Sequence, residues 1–280
     1  MKNNLTNTEL AFVGCGVMAE SMIAGLLRKN LVAPAQIVAS HPRRGRLEEL
    51  QNKYGIRAFE NNSEAIETIR ESSNSIVALC VKPQRLAGVL DELKGVVLSD
   101  QLVLSIIAGA KIETLSGALG NQKIVRAMPN TPSQIGAGIT AWTATNAVSE
   151  TEGAQIKALL TALGKELRVE TENMIDMATS LSATGPTYVF MVMEALTDAG
   201  VHLGFSREMA KELVQETMLG SVLFAIESHK HPAELRNMVT SPGGTSAEAI
   251  YQMEKGGLRT VLSKAVYTAY QRAVALGQKK

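Results

Sequence analysis

The chain passes from an apolar run into a helical pattern through Phe12-Val13-Gly14-Cys15-Gly16-Val17-Met18-Ala19, and this stretch decides the fold. Leu10–Val13 has the short apolar composition of a buried strand, and Val17–Lys29 has the period of an amphipathic helix. The small residues between them are spaced G-x-G-x-x-A, a variant of the fingerprint by which a strand–loop–helix unit binds a dinucleotide. The sequence therefore predicts a dinucleotide-binding loop here; a purely structural tight turn is the alternative.

The fingerprint gives each small residue of the loop a separate task. Gly14 permits the tight turn, Gly16 lets a pyrophosphate approach the backbone at a helix N-terminus, and Ala19 keeps helix and strand close together. A helix N-terminus also lowers a thiol pKa, although we interpret Cys15 as a small filler and not as a nucleophile. The predicted cofactor contacts of the loop are Gly14, Cys15, Gly16, Val17, Met18 and Ala19.

Length and composition exclude several classes of protein. A chain of 280 residues allows about two domains, and its formal net charge of +1 argues against a polyanion binder that works by bulk charge. Two cysteines and four histidines predict neither a disulfide scaffold nor a metal site. Because no secretory signal pattern and no apolar run of about 18 residues is present, we expect a cytoplasmic protein.

Apolar runs and helical patterns alternate along the first ~165 residues and then give way to helical patterns alone. The predicted strands are Leu10–Val13, Gln36–Ala39, Ser75–Val81, Leu102–Ile107, Lys123–Ala127 and Gly138–Trp142. This pattern predicts a Rossmann-type, doubly wound parallel sheet over residues 1–168, followed by an all-α domain over residues 169–280. The predicted helices of the second domain are Asn173–Ser182, Pro186–Leu203, Arg207–Ser228, Pro232–Val239, Ala247–Glu254 and Leu258–Leu276.

The helical domain is enriched in methionine and aromatic residues. They are more numerous than one small helical layer normally needs, which favours a partner subunit over a self-contained core. The positions concerned are Met174, Met177, Phe190, Met191, Met193, Met218 and Phe224.

The residues after the second predicted strand indicate which dinucleotide is bound. NAD-binding versions of the fold place a carboxylate there to hold the ribose 2′-hydroxyl, but this chain has Ser40, Arg43 and Arg44 instead. A hydroxyl and two guanidinium groups suit a 2′-phosphate, so we favour NADP over NAD. The alternative is that the two arginines simply begin an exposed helix.

Two further segments follow strands at the edge where open α/β sheets bind ligands. Lys82 and Pro83 come after Ser75–Val81, where Lys82 reaches toward a cofactor or is an ordinary surface lysine. The small residues Ala108 and Gly109 follow the next strand and leave room for a nicotinamide ring.

A second glycine loop, Thr240–Glu248, precedes a helix in the all-α domain. Ser241, Gly243 and Gly244 present hydroxyl and backbone N–H groups at the positive end of that helix, which suits a small carboxylate. Thr245 and Glu248 have the spacing of a capping box, so an ordinary capped helix is the alternative.

The chain resembles the pyrroline-5-carboxylate reductases over nearly its whole length. The segments that carry the resemblance are GCGVMAESMIAGL (14–26), CVKPQ (80–84), SIIAGA (105–110), RAMPNTPSQIGAG (126–138), LSATGPTYVFMVMEALTDAGVHLG (181–204) and HPAELRNMVTSPGGTSAEAI (231–250). The resemblance implies NADPH-dependent reduction of L-1-pyrroline-5-carboxylate to L-proline, with NADH used by some members. It also implies that helical domains interlock into a homodimer, which is often assembled into a larger ring.

The resemblance implies further site residues. Asn62 and Val81 join the cofactor contacts, and the substrate carboxylate lies on Ser241, Gly243, Gly244 and Thr245. Ser246 occupies the position proposed to hydrogen-bond the ring nitrogen, where the family usually has threonine. Ala183 and Thr184 likewise replace the usual glycine and serine.

Two other functions stay open at this point. Another NADP-linked imine or hydroxyacid oxidoreductase would share the two-domain plan, but residues 170–186 lack the lysine expected of a hydroxyacid dehydrogenase. A non-catalytic NADP(H)-sensing module would not need the second glycine loop or Lys82.

Overall fold

The computed structural model describes residues 4–278, which divide into two compact units. Among the described residues, the first comprises 4–184 with 269–278, and the second comprises Gly185–Thr268. The last sheet strand ends at Arg168, where the sequence places the end of the Rossmann domain, but the first unit continues through a further helix. The functional boundary at residues 168–169 therefore stays a prediction. None of the helices within residues 4–278 is long and apolar enough to cross a membrane.

The described residues form one eight-stranded sheet and twelve α-helices. The strands are β1 (Glu9–Val13), β2 (Ile37–Ser40), β3 (Arg57–Phe59), β4 (Ser75–Leu79), β5 (Leu102–Ser105), β6 (Ile124–Met128), β7 (Gly138–Ala144) and β8 (Gly164–Arg168). The helices are α1 (Val17–Arg28), α2 (Arg44–Tyr54), α3 (Asn62–Glu67), α4 (Leu86–Leu93), α5 (Ile112–Leu119), α6 (Glu150–Thr161), α7 (Asn173–Ala178), α8 (Gly185–His202), α9 (Arg207–Ser228), α10 (Pro232–Met238), α11 (Thr245–Lys255) and α12 (Leu258–Gln278).

The strand order is β3-β2-β1-β4-β5-β6-β7-β8, and its first six strands are all parallel, in the order of a dinucleotide-binding Rossmann sheet. The predicted fold class is confirmed. The end of the sheet differs from an all-parallel arrangement, because β7 pairs antiparallel with β6. The β6–β7 connection is too short for the crossover that a parallel pair needs, so the chain reverses. A crossover through α6 then returns β8 parallel to β7.

Alternate side chains of each central strand enter two different cores. Leu10 and Phe12 of β1 pack in the cluster that contains the apolar faces of α1 and α6. Ala11 and Val13 pack on the other side with α3, α4 and α5. Burial on both faces explains why the strands are continuous apolar runs, and it confirms the doubly wound interpretation.

The second unit lacks a comparable core. Within Gly185–Thr268, all of which the structure describes, Ala210 is the only buried hydrophobic residue; it packs beneath Gly200 where α8 and α9 meet. Phe190, Met191 and Phe224 are at least half exposed, although methionine and aromatic residues are usually core residues. A single copy of this unit therefore leaves its apolar helix faces uncovered.

Candidate functional site

The first unit has a cavity of about 1170 Å³ at the carboxyl ends of β1, β2 and β4. The strand order reverses between β1 and β4, and ligands of open α/β sheets bind at such a switch point. Six of the predicted cofactor residues line the cavity: Gly14, Gly16, Arg44, Asn62, Val81 and Lys82. Ala108 and Gly109 are not part of this cavity in the described structure.

The two glycines of the loop are required for different reasons. Gly14 has a φ of +78°, and a Cβ there would lie 2.3 Å from Val81 Cγ1, so the protein's own backbone and packing demand glycine. Gly16 has an ordinary φ of −83°, and the nearest atom to an added Cβ is Gly14 O at 4.0 Å. A Cβ at Gly16 would therefore occupy the cavity and clash with nothing in the chain. This glycine keeps space for a ligand, as a pyrophosphate at the α1 N-terminus needs.

Cys15 is buried at this N-terminus. Burial raises the pKa of the thiol to about 12, and this effect exceeds the opposing one of Arg46. The helix N-terminus does not lower this pKa, because the side chain is buried in the core cluster that also contains Phe12 and Ala39. Its interpretation as a small filler agrees with full burial.

A polar cluster that sequence analysis missed fixes the first turn of α1. Arg46 of α2 forms an ion pair with Glu20 of α1, and its Nε donates to Cys15 O at 3.5 Å. Lys53 and Tyr54 also donate to Glu20 Oε1, at 2.9 and 2.8 Å. Burial raises the pKa of Glu20, but these hydrogen bonds outweigh it and lower the pKa to about 2. The cluster ties the cofactor loop to α2.

Ser40 is fully buried, so its hydroxyl does not face the cavity as an open phosphate ligand. Its Oγ accepts a hydrogen bond from Gly14 N at 3.3 Å and donates to Asn62 Oδ1 at 2.6 Å. Ser40 thus joins the predicted loop to Asn62 through the interior. The structure therefore brings Gly14, Ser40 and Asn62 together as predicted, but Ser40 contacts the other two residues and does not line the cavity.

Cationic and polar groups border the cavity after β2. Arg44 is the first residue of α2, and its side chain is 82% exposed, with Glu48 Oε1 at 3.3 Å. Arg43 is also exposed, and its backbone N–H donates to His41 Nδ1 at 3.1 Å. Burial and the charge of Arg43 lower the pKa of His41, whose imidazole lines the cavity. Only the Nε of Arg44 is engaged, by Glu48, and its exposed guanidinium lines the cavity, where it can meet an anion.

The Ala108–Gly109 turn follows β5, and Gly109 has a φ of +76°. A Cβ on Gly109 would lie 2.8 Å from the Leu276 carbonyl carbon, so the end of α12 passes directly over this turn. Close packing within the chain by itself requires glycine at this position, and room for a nicotinamide ring stays a prediction. Ala108 packs against the cluster formed by Met128 and Ile175.

A buried ion cluster lies beside the same turn. The Arg126 guanidinium is fully buried; its Nη2 donates to Asp176 Oδ1 at 2.6 Å and its Nη1 to Glu172 Oε1 at 2.9 Å. Lys111 Nζ donates to Asp176 Oδ2 at 2.6 Å. These contacts join β6, the 108–111 segment and α7. They anchor α7 next to the π-helical turn Thr179–Ala183, a feature frequent at functional sites.

The second glycine loop lies in the second unit and begins α11. Gly243 has a φ of +66°, and a Cβ on Gly244 would lie 2.4 Å from Ser241 Oγ. The predicted capping box is wrong: Gly244 is the N-cap and Thr245 is already the first helical residue, so no side chain caps α11. The uncapped first-turn N–H groups of Thr245 and Ser246 are suited to an anion.

Two family models match this chain, one in the sheet region and one in the helical region. Residues 9–109 match the family model for NADP oxidoreductase, coenzyme F420-dependent, and residues 172–276 match that for pyrroline-5-carboxylate reductase dimerisation. A pyrroline-5-carboxylate reductase of Synechocystis sp. is 38% identical over 97% of this chain and 99% of its own length. The chain belongs to the pyrroline-5-carboxylate reductase family. The Pseudomonas aeruginosa reductase is also 38% identical, over 98% of both chains.

Solved structures of pyrroline-5-carboxylate reductases have the same overall fold. The Coxiella burnetii reductase aligns with a TM-score of 0.87 and 32% identity, over 98% of this chain and all of that one. The Plasmodium falciparum protein, solved with NADP bound, aligns with a TM-score of 0.87 and 30% identity over 97% of this chain and 99% of that one. The match to the family's dimerisation model accounts for the uncovered apolar faces of the second unit: the chain self-associates.

Proposed function

We propose that this protein reduces L-1-pyrroline-5-carboxylate to L-proline with NADPH, accepting NADH as well. The observation that carries the proposal is the 38% sequence identity to a pyrroline-5-carboxylate reductase over 97% of this chain, together with the Rossmann cavity that Gly16 keeps open. A family relationship over 97% of the chain covers both the cofactor and the substrate regions. It favours this activity over a hydroxyacid dehydrogenase or an NADP(H)-sensing module.

The cavity in the first unit fits the dinucleotide. The backbone at Gly14–Ala19 and the α1 N-terminus hold the pyrophosphate, Arg44 and Arg43 meet the 2′-phosphate, and Lys82 contributes a further positive charge. Pro83, Ala108 and Gly109 complete the proposed binding residues around the nicotinamide end. When bound, the reduced nicotinamide supplies the hydride that the carbon of the C=N bond accepts.

The second glycine loop holds the substrate carboxylate in this proposal. Ser241 and Thr245 contribute hydroxyl groups, while Gly243 and Gly244 shape the backbone so that the α11 N-terminus faces an anion. Ser246 lies in the first turn and orients the ring nitrogen. Holding the substrate at two points aligns its C=N carbon for the transfer.

Ser246 does not act as a strong acid, because an alkyl hydroxyl is a poor proton donor at neutral pH. The substrate imine protonates in solution or through water, and the Ser246 hydroxyl then holds it. Ser246→Ala is therefore expected to lower kcat without abolishing turnover, and Ser246→Thr to retain most of the activity. A Ser246→Ala variant with the wild-type rate would remove this residue from the mechanism.

The proposed activity is tested by mixing the purified protein with NADPH and pyrroline-5-carboxylate and following NADPH absorbance and proline formation. We expect both to change in equal amounts, and kcat/KM to be higher with NADPH than with NADH. If NADPH binds but is consumed neither with pyrroline-5-carboxylate nor with other imines or keto acids, the sensing-module interpretation is favoured. If another imine or a keto acid is reduced and pyrroline-5-carboxylate is not, the chain is a different oxidoreductase.

We further propose that dimers assemble into a larger ring in the cytoplasm and that no nucleic acid or membrane takes part. The exposed apolar side chains of the second unit support association through the helices. Light scattering at several protein concentrations tests the assembly. A stable dimer as the largest species would contradict the ring.

A further inference from the structure

A chain of hydrogen bonds leads from the cofactor loop to α4. Gly14 N–H donates to Ser40 Oγ at 3.3 Å, and the Ser40 hydroxyl donates to Asn62 Oδ1 at 2.6 Å. Asn62 Nδ2 then donates to Glu92 Oε2 at 2.7 Å, and Asn62 N–H donates to Glu92 Oε1 at 3.1 Å. Glu92 lies on α4 and, with Asn62, lines the same cavity as Gly14 and Arg44. The resemblance to known reductases assigns no role to Glu92.

The chemistry of Glu92 fixes the direction of this chain. An ionised carboxylate only accepts hydrogen bonds, so the Asn62 amide must turn its NH₂ group toward Glu92. Its oxygen then faces Ser40, and the Ser40 hydroxyl must donate its single proton to that oxygen. The lone pairs of Ser40 Oγ are left for Gly14 N–H. Each donor along the chain therefore points toward Glu92.

Removal of Glu92 would leave this direction undetermined. The Asn62 amide has two orientations that differ only in which end faces Ser40, and the flipped one presents NH₂ to the hydroxyl. Ser40 would then accept from both neighbours, and its proton would exchange the 2.6 Å bond to Asn62 for the longer 3.5 Å contact with the Phe12 carbonyl oxygen. Because Ser40 is fully buried, water does not replace the shorter bond.

We propose that Glu92 is a positioning residue for the cofactor: through Asn62 and Ser40 it holds the Gly14 turn in the geometry that binds the dinucleotide. The inference deepens the proposed function, since it assumes that NADPH occupies this cavity. It assigns Glu92 to affinity and not to the chemistry of hydride transfer. It also makes the side-chain orientation of Asn62 a consequence of α4 and not of the cofactor.

The test measures the equilibrium Kd of NADPH and of NADP⁺ by titration calorimetry, beside steady-state kinetics. Glu92→Ala is expected to raise both Kd values about five- to tenfold, the factor of one net hydrogen bond. Its effect on kcat at saturating NADPH is expected to be smaller than its effect on Kd. Glu92→Gln, whose side-chain oxygen still accepts from Asn62 Nδ2, is expected to restore most of the affinity. Asp91→Asn removes the same charge from the adjacent position on α4 and is the matched control, with an unchanged Kd.

A double-variant cycle separates action through Asn62 from a direct effect of charge. Since Glu92 acts through Asn62, Glu92→Ala is expected to add little to the Kd of an Asn62→Ala variant. Three results would each overturn the proposal: fully additive effects, an unchanged Kd for Glu92→Ala, or tighter NADPH binding by Glu92→Gln. Tighter binding by Glu92→Gln would show that the Glu92 carboxylate repels the 2′-phosphate. If the wild-type protein does not bind NADPH at all, the proposed function itself fails, which is a distinguishable result.

Discussion

Replacing Asp176 by alanine is expected to lower the free energy of unfolding by about 3–5 kcal/mol, the cost of breaking a buried ion pair from one side. Asp176 and Arg126 are almost fully buried, and Asp176 accepts from both Arg126 and Lys111. Without the carboxylate, Lys111 still reaches water, because its side chain is 28% exposed. Arg126 does not, and its Nε already has no hydrogen-bond partner within the described structure. Glu172 still accepts from Arg126 Nη1, but Nη2 is left buried without its carboxylate, and this half-paired guanidinium accounts for most of the loss.

The change is measured by urea unfolding, with wild type and variant at equal protomer concentration because the protein self-associates. With an m-value of about 3 kcal/mol per molar urea, the midpoint is expected to fall by about 1–2 M. The matched control is Glu48→Gln, which breaks the exposed pair between Glu48 and Arg44 and is expected to cost at most about 0.5 kcal/mol. If the two variants lose the same small amount, the cluster does not hold β6 and α7 together and the reasoning is refuted.

Three further predictions concern the cofactor loop. Gly16→Ala is expected to weaken NADPH binding about tenfold or more with little change in Tm, because the new Cβ enters only the cavity. Gly14→Ala is expected to lower the free energy of unfolding by about 1–3 kcal/mol, because its backbone conformation is strained for alanine. Equal losses of Tm in the two variants would refute this distinction. Cys15, with its pKa raised to about 12, is expected to resist a thiol reagent at neutral pH until the protein is denatured, as mass spectrometry reports; rapid native labelling would contradict its burial. The pKa of Glu20 is lowered to about 2, so its stabilisation is complete above about pH 4.5 and is lost as the pH falls through about 2; acid unfolding of Glu20→Gln is expected to be flatter in that window, and an unchanged profile would exclude the cluster.

The sequence predicted those parts of the fold that have a local signal. Apolar runs located the central strands to within two residues, and α9 matches its predicted bounds. The edge strands β3 and β8 were missed because neither is buried, so neither forms an apolar run. The direction of β7 also has no signal within the strand itself, since it follows from the short connection that precedes it.

Residues of the site could likewise be predicted only where a local sequence signal marks them. The glycine loop, Arg44 and Lys82 could be recognised from their place after a strand, and they line one cavity. Arg46 and Glu92 were missed because each acts on a residue 26 or 30 positions away, with no motif to mark the pair. The burial of Ser40 likewise depends on the packing of β1, β2 and α3, which no short window of sequence contains.

The central claim is hydride transfer to the C=N carbon, and isotope transfer tests it most directly. The purified protein is given pyrroline-5-carboxylate with NADPH that carries deuterium at the transferred position, and the product is analysed by NMR. We predict proline with one deuterium on the ring carbon that was double-bonded to nitrogen. Absence of proline, or proline without deuterium at that carbon, would contradict the account.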